Sequence, residues 1–162
     1  WSLSMVGVRD HSWGRRVWSS IYRDRSIWTC FGPDLSFIAC KTWLDPDASP
    51  DEMGCVIESG RVTRLCSIKI HSRFRQNSHY HEAVRLELED AEGRSFTLDG
   101  KVLAYVPLRH RTPGREVVFL GQAMTRFTLA GRTTIGLSEY FDAALACERL
   151  IELSLAGEHV VE

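Results

Sequence analysis

Apolar and polar positions alternate with a period of two through most of this chain. Val84, Leu86 and Leu88 fall on one side, and Arg85, Glu87 and Glu89 on the other, as in a half-buried β-strand. Aromatic and branched residues crowd residues 28–31 and 35–44, with Gly32, Pro33 and Asp34 between them as a turn. Residues 45–51 read as a loop, because their two prolines cannot donate to a ladder. Further strands are expected over residues 53–58, 62–70, 80–88, 102–108, 116–127 and 134–141, with Phe96 and Leu98 leading into the fourth of these. Turn residues separate them at 59–61, 90–94 and 130–132. Roughly eight strands joined by hairpins predict an all-β fold, an antiparallel barrel or a strongly curved sandwich. No interval holds the long helix that a parallel βαβ unit needs. The tail differs: residues 142–153 are good helix formers, Asp142 is placed to cap them and Gly157 to stop them. A short C-terminal helix is expected within residues 142–156.

Length and charge narrow the picture. A chain of 162 residues fits one domain, here residues 1–162, and buries about 70% of its unfolded surface without staples. Twenty basic residues against 21 acidic ones give a net charge of −1, which argues against a nucleic-acid partner. No apolar run approaches the roughly 20 residues of a membrane span. The five cysteines form no C-x-x-C pair, so they read as structural thiols in a reducing, cytoplasmic setting, with no metal and no cofactor expected. No secretory leader is apparent at the N-terminus, and an opening on Trp1 is what a piece of a longer chain would show.

Two clusters carry candidate chemistry. In the first, His11 and Trp13 share one face of an extended segment, while Asp10 and Ser12 share the other. His11 is placed to handle a proton and Asp10 to orient it. Trp13, Trp18, Tyr22 and Trp28 would form a wall tolerant of positive charge. The competing reading makes the tryptophans core plugs and Asp10 a rim salt bridge. Glu139 and Tyr140 alternate on a late strand. Glu139 either faces inward as a proton donor, which needs an apolar pocket to keep it protonated, or pairs with an arginine. The second cluster, His79-Tyr80-His81-Glu82 with His110 and Glu87 further on, has the two-residue histidine spacing of a strand-borne metal site. Its competing reading is a solvated strand edge.

Residues 7–18 follow the pattern G-x-R-D-H-S-W-G-x-R-x-W, and that string resembles a signature of lipocalin-like proteins related to hydroxyneurosporene synthase (a carotenoid hydratase) and to AttH-type proteins. Shorter matches run in order at 60–62, 90–94, 98–100 and 131–140, so the resemblance covers about residues 5–141. It implies a calycin-type barrel, forming the C-terminal half of a two-barrel protein whose other half would be this chain's partner. It also implies an apolar isoprenoid, steroid or lipid-like ligand, and hydration, isomerisation or cyclisation chemistry, with His11 and Trp13 as the His-x-Trp pair. Tyr140 joins Trp13, Trp18, Tyr22 and Trp28 as a candidate ligand contact. A noncatalytic half that braces a partner barrel or carries a ligand is the alternative.

Overall fold

A computed structural model describes residues 20–111, 117–155 and 160–161. Eight strands follow one another: β1 (Arg23–Cys30), β2 (Leu35–Trp43), β3 (Asp51–Glu58), β4 (Arg61–Phe74), β5 (His81–Asp90), β6 (Ser95–Arg111), β7 (Val117–Leu129) and β8 (Arg132–Ala143). Each pairs antiparallel with the next, and β8 returns to pair with β1 from Arg23↔Asp142 to Thr29↔Gly136. That last ladder closes the barrel and decides against an open sandwich. A two-residue strand, β9 (Val160–Val161), adds to β4 at His71 and Ser72.

The tight turns lie where the turn residues predict them. Ser59 and Gly60 both have positive φ, as do Ala130 and Gly131, which makes two-residue hairpins of the kind that match strand twist. Three boundaries depart from the sequence pattern. β1 begins at Arg23 rather than residue 28, because Arg25 occupies the inner row with an acidic partner, Asp142, on the adjacent strand β8. Residues 95–111 form one strand rather than two segments. The helix α1 starts only at Ala144 (Ala144–Leu155), since Asp142 stays in the β8 ladder and spends its carboxylate on Arg25 instead of capping.

Inward-facing side chains form the barrel's hydrophobic core. Ile27, Ile70, Leu86, Leu98 and Phe127 are fully buried, and Phe31, Phe37 and Phe96 meet edge to face near the short-turn end. From α1, Ala146 and Leu150 lie one helical turn apart and both are buried. Three bulges break the alternation. Leu65 pairs with Asp90 but Ser67 pairs with Glu89, so Cys66 is an extra residue in β4. Arg73 pairs with Ala83 but Phe74 pairs with His81, so Glu82 is an extra residue in β5. Val102 pairs with Thr125 but Ala104 pairs with Met124, so Leu103 is extra in β6. Each added residue reverses which parity points inward beyond it.

Between β3 and β4 the ladder is short, from Glu58↔Arg61 to Cys55↔Arg64. Beyond it, side chains take over from backbone pairing. Lys41 Nζ donates to the Ile68 carbonyl at 3.0 Å, the Ile68 amide donates to Glu52 Oε2 at 3.2 Å, and Lys41 and Glu52 pair at 2.8 Å. Lys41 is nearly buried, so its removal leaves backbone and carboxylate groups short of partners. Lys41→Met is expected to lower the unfolding free energy by about 1–3 kcal/mol in urea titrations. Lys101→Met, at an exposed position of β6, is expected to change it by less than about 0.5 kcal/mol.

Candidate functional site

The two ends of the barrel are built differently. One is closed by connections of a few residues (31–34, 59–60, 91–94 and 130–131), whereas the other carries the longer links 44–50 and 75–80 and the start of α1. Toward that second end the inner wall becomes polar. Ser138, Tyr140 and Asp142 point inward at two-residue steps along β8, joined by Arg25 from β1, Ser72 from β4, His81 from β5 and Thr125 from β7, all buried. Polar groups are costly to bury unless paired, and here nearly all are.

Two connected sets of contacts make up the cluster. Arg25 grips Asp142 through both guanidinium ends, at 3.2 and 2.9 Å, and also donates to the Phe141 carbonyl at 3.2 Å. Its Cζ lies 4.2 Å from the centre of the Tyr140 ring, a cation–π distance. The Tyr140 hydroxyl meets Ser72 Oγ at 2.6 Å. His81 stacks on the same ring, with centroids 3.8 Å apart and planes 19° from parallel. Its Nε2 bonds Ser138 Oγ at 2.8 Å, and Ser138 Oγ bonds Thr125 Oγ1 at 2.6 Å. His81 Nδ1 is buried without a hydrogen-bond partner among the described residues. Beyond His81, Tyr105 stacks on Tyr80 at 4.6 Å, and His79 packs against Tyr80 and Phe119.

Burial first, and then the charges of Arg25 and Arg75, push the His81 imidazole down from 6.5 to about 3, so it is neutral near pH 7. Burial and the Asp142 carboxylate hold the Tyr105 hydroxyl and the Cys147 thiol well above their ordinary values. The His81 shift has a measurable consequence. Its folded value lies below its unfolded one, so the unfolded chain takes up the proton first, and stability falls as pH drops below about 6.5 until it levels near 3. Between about pH 7 and about pH 5 that loss comes to about 2 kcal/mol. Urea unfolding at the two pH values is expected to show this loss in the wild type and its absence in His81→Phe. Equal losses in the two proteins would mean that His81 is not the group responsible.

The sequence-derived candidates scatter across this architecture. Asp10, His11, Trp13 and Trp18 lie outside the described residues. Tyr140 stands at the centre of the cluster. Tyr22, just before β1, is half-buried beneath the Arg23 guanidinium, 5.7 Å from its ring centre. Trp28 and Glu139 belong to the outer rows of β1 and β8. The inward neighbours Ser138 and Tyr140 force Glu139 out, where it accepts a hydrogen bond from Gln122 at 2.7 Å. The histidine pair separates, with His81 inside the barrel and His79 on the aromatic rim. Among the described residues no three His, Cys, Asp or Glu side chains are grouped to hold a metal. The Glu82 bulge explains the split: uninterrupted alternation would leave His81 on the same outer row as Arg85 and Glu87.

Sequence reasoning passed over Arg25, Ser72, Thr125 and Ser138, and assigned Asp142 to the helix cap. The one local signal was the spacing Ser138, Tyr140, Asp142, which sets three polar groups on one strand face. No helix among the described residues is long and apolar enough to cross a membrane. A search of curated proteins finds no match to this chain. Residues 1–144 do match one family profile, so the chain belongs to the family described as a domain of unknown function, DUF7064, and that match ends where α1 begins.

Proposed function

We infer that this barrel binds a largely apolar small molecule, of isoprenoid, steroid or lipid-like character, at the end where the polar cluster lies. The observation that carries this reading is His81: a fully buried imidazole with one nitrogen bonded to Ser138 and the other without a partner among the described residues. A barrel that needed only a filled centre would place an aliphatic residue there, because an unmatched buried polar atom costs about 1–3 kcal/mol. Such a group is retained where a ligand supplies the missing bond. The rings of Tyr140, Tyr105 and Phe74 around it suit an apolar body. The resemblance of residues 7–18 to the hydratase signature extends the reading to a proton-transfer step, with His11 handling the proton, Asp10 orienting it, and Trp13 and Trp18 bearing on the cation.

The test is mass spectrometry of the organic extract of the full chain, purified without detergent. The expected result is an apolar compound in near-stoichiometric amount, depleted from His81→Leu. An empty extract, together with no thermal shift across a panel of isoprenoids, steroids and fatty alcohols, would overturn the reading.

A second reading has its own observation. On the outer surface one cross-strand row runs Ala104↔Met124↔Leu137↔Trp28↔Ile38 over five strands, flanked by Val106 and Ile135, which are about half exposed. An apolar band of that extent is suited to a protein surface, which favours a domain that braces a partner barrel. Light scattering across a dilution series separates the two: a bracing domain purifies as an assembly that Met124→Lys dissociates, whereas a ligand carrier keeps its ligand in that variant.

A further inference from the structure

We propose that the group offered to His81 is a hydrogen-bond donor, a neutral hydroxyl, and that the barrel therefore selects alcohols over carbonyl compounds, ethers and carboxylates of the same skeleton. The proposal rests on the ligand-binding reading above and narrows it. It follows from counting protons along the buried chain Thr125–Ser138–His81.

Each of the two hydroxyls carries one hydrogen, and the neutral imidazole carries one. The hydrogens can run in two directions. In the first, His81 Nε2–H donates to Ser138 Oγ, Ser138 donates to Thr125 Oγ1, and Thr125 turns to the Ala123 carbonyl 3.5 Å away. Every hydrogen then has an acceptor, and what remains unused is the lone pair on Nδ1. In the reverse direction Thr125 donates to Ser138 and Ser138 to Nε2, which places the imidazole hydrogen on Nδ1 with no acceptor in reach. Orphaned buried N–H groups are rarer than under-used acceptors, and an unmatched buried donor costs its full desolvation. The first arrangement prevails, so Nδ1 presents a bare lone pair.

The surroundings keep it so. Burial and the guanidinium charges of Arg25 and Arg75 oppose a second proton on the ring. Arg25 is itself engaged by Asp142 and the Phe141 carbonyl, so its guanidinium is closed to a carboxylate, which would bring only lone pairs to Nδ1. A carbonyl or ether oxygen would set lone pair against lone pair. A hydroxyl supplies the missing hydrogen, and the rings of Tyr140 and Tyr105, stacked on and edge-on to His81, take the carbon skeleton.

Two measurements on the full chain test this. Nitrogen-15 NMR of histidine-labelled protein reads the tautomer without any ligand. The expected pattern for His81 is a protonated Nε2 and a bare Nδ1, with Nδ1 shifting toward the hydrogen-bonded range when decanol is added. A protonated Nδ1 overturns the proposal. Calorimetric titration with decanol, its methyl ether and decanoate then reads selectivity, and decanol is expected to bind about tenfold more tightly than the ether, with decanoate weaker still. In His81→Leu the preference for alcohol over ether disappears. If alcohol and ether bind the wild type equally, the donor assignment fails while the ligand-binding reading stands; if none of the three binds, both fall.

Discussion

Asp142→Ala is expected to destabilise the barrel by about 3–5 kcal/mol, the cost of leaving a buried charge without its partner. Arg25 has no solvent exposure, and Asp142 only 2%, so the guanidinium cannot turn to water when the carboxylate is gone. Its other contacts among the described residues include the carbonyls of Asp24 and Phe141 and the face of Tyr140, which carry partial charges only. For a domain whose whole stability is of order 5–15 kcal/mol, such a loss is visible as a collapse of the urea midpoint. Removing the Arg25 charge as well should recover part of the loss, because a buried ion pair often exchanges for apolar residues at little cost, and Arg23, which Asp142 also holds at 3.3 Å, keeps 13% exposure to water. The double variant Arg25→Met, Asp142→Leu is therefore expected to be more stable than Asp142→Ala alone, a non-additivity that a double-mutant cycle measures. If Asp142→Ala unfolds within about 1 kcal/mol of the wild type, the pair is not the buried anchor described above.

Gly136→Ala is expected to be nearly as damaging, at about 3 kcal/mol, the upper part of the range for overpacking. A methyl group there would lie 2.5 Å from the Trp28 carbonyl oxygen and 2.8 Å from Thr29 Cβ. The first of these belongs to the backbone of β1, which is held on both sides by β2 and β8. It cannot retreat without breaking the ladder that closes the barrel. Trimming Thr29 to alanine should therefore fail to rescue Gly136→Ala in thermal unfolding, and full rescue would show that side-chain crowding alone is at fault. Gly121 is the informative contrast. A methyl there would run into the Tyr105 ring and its hydroxyl, but that ring is half-buried and ends a flexible side chain. Gly121→Ala should cost about 1–2 kcal/mol and be largely restored by Tyr105→Ala.

The features that read correctly from the chain are the local ones. Val84, Leu86 and Leu88 are buried and Arg85 and Glu89 exposed, because two-residue alternation is a property of each strand alone. Ser59-Gly60 and Ala130-Gly131 turn where expected, since Gly60 and Gly131 adopt positive φ freely, and Ser59 and Ala130 follow into it although their Cβ atoms disfavour it. The helix was displaced by two residues because Asp142 had a distant claimant. Arg25 was missed for the same reason: a charged residue on an inner row reads as solvent-facing until its partner, 117 residues away, is known.

The chain by itself therefore determined an all-β domain of short hairpin-linked strands with a helical tail, since period, turn chemistry and helix-forming composition act over a few neighbours. Only the closed barrel decided which side chains meet inside. The pairing of β8 with β1 brings Asp142 to Arg25. The single extra residues at Glu82 and Leu103 shift the phase of their strands by one, turning His81 and Tyr105 from the outer row to the interior. A bulge is a property of two strands in register rather than of either one, so the polar cluster it assembles is written in the pairing and not in the order of residues.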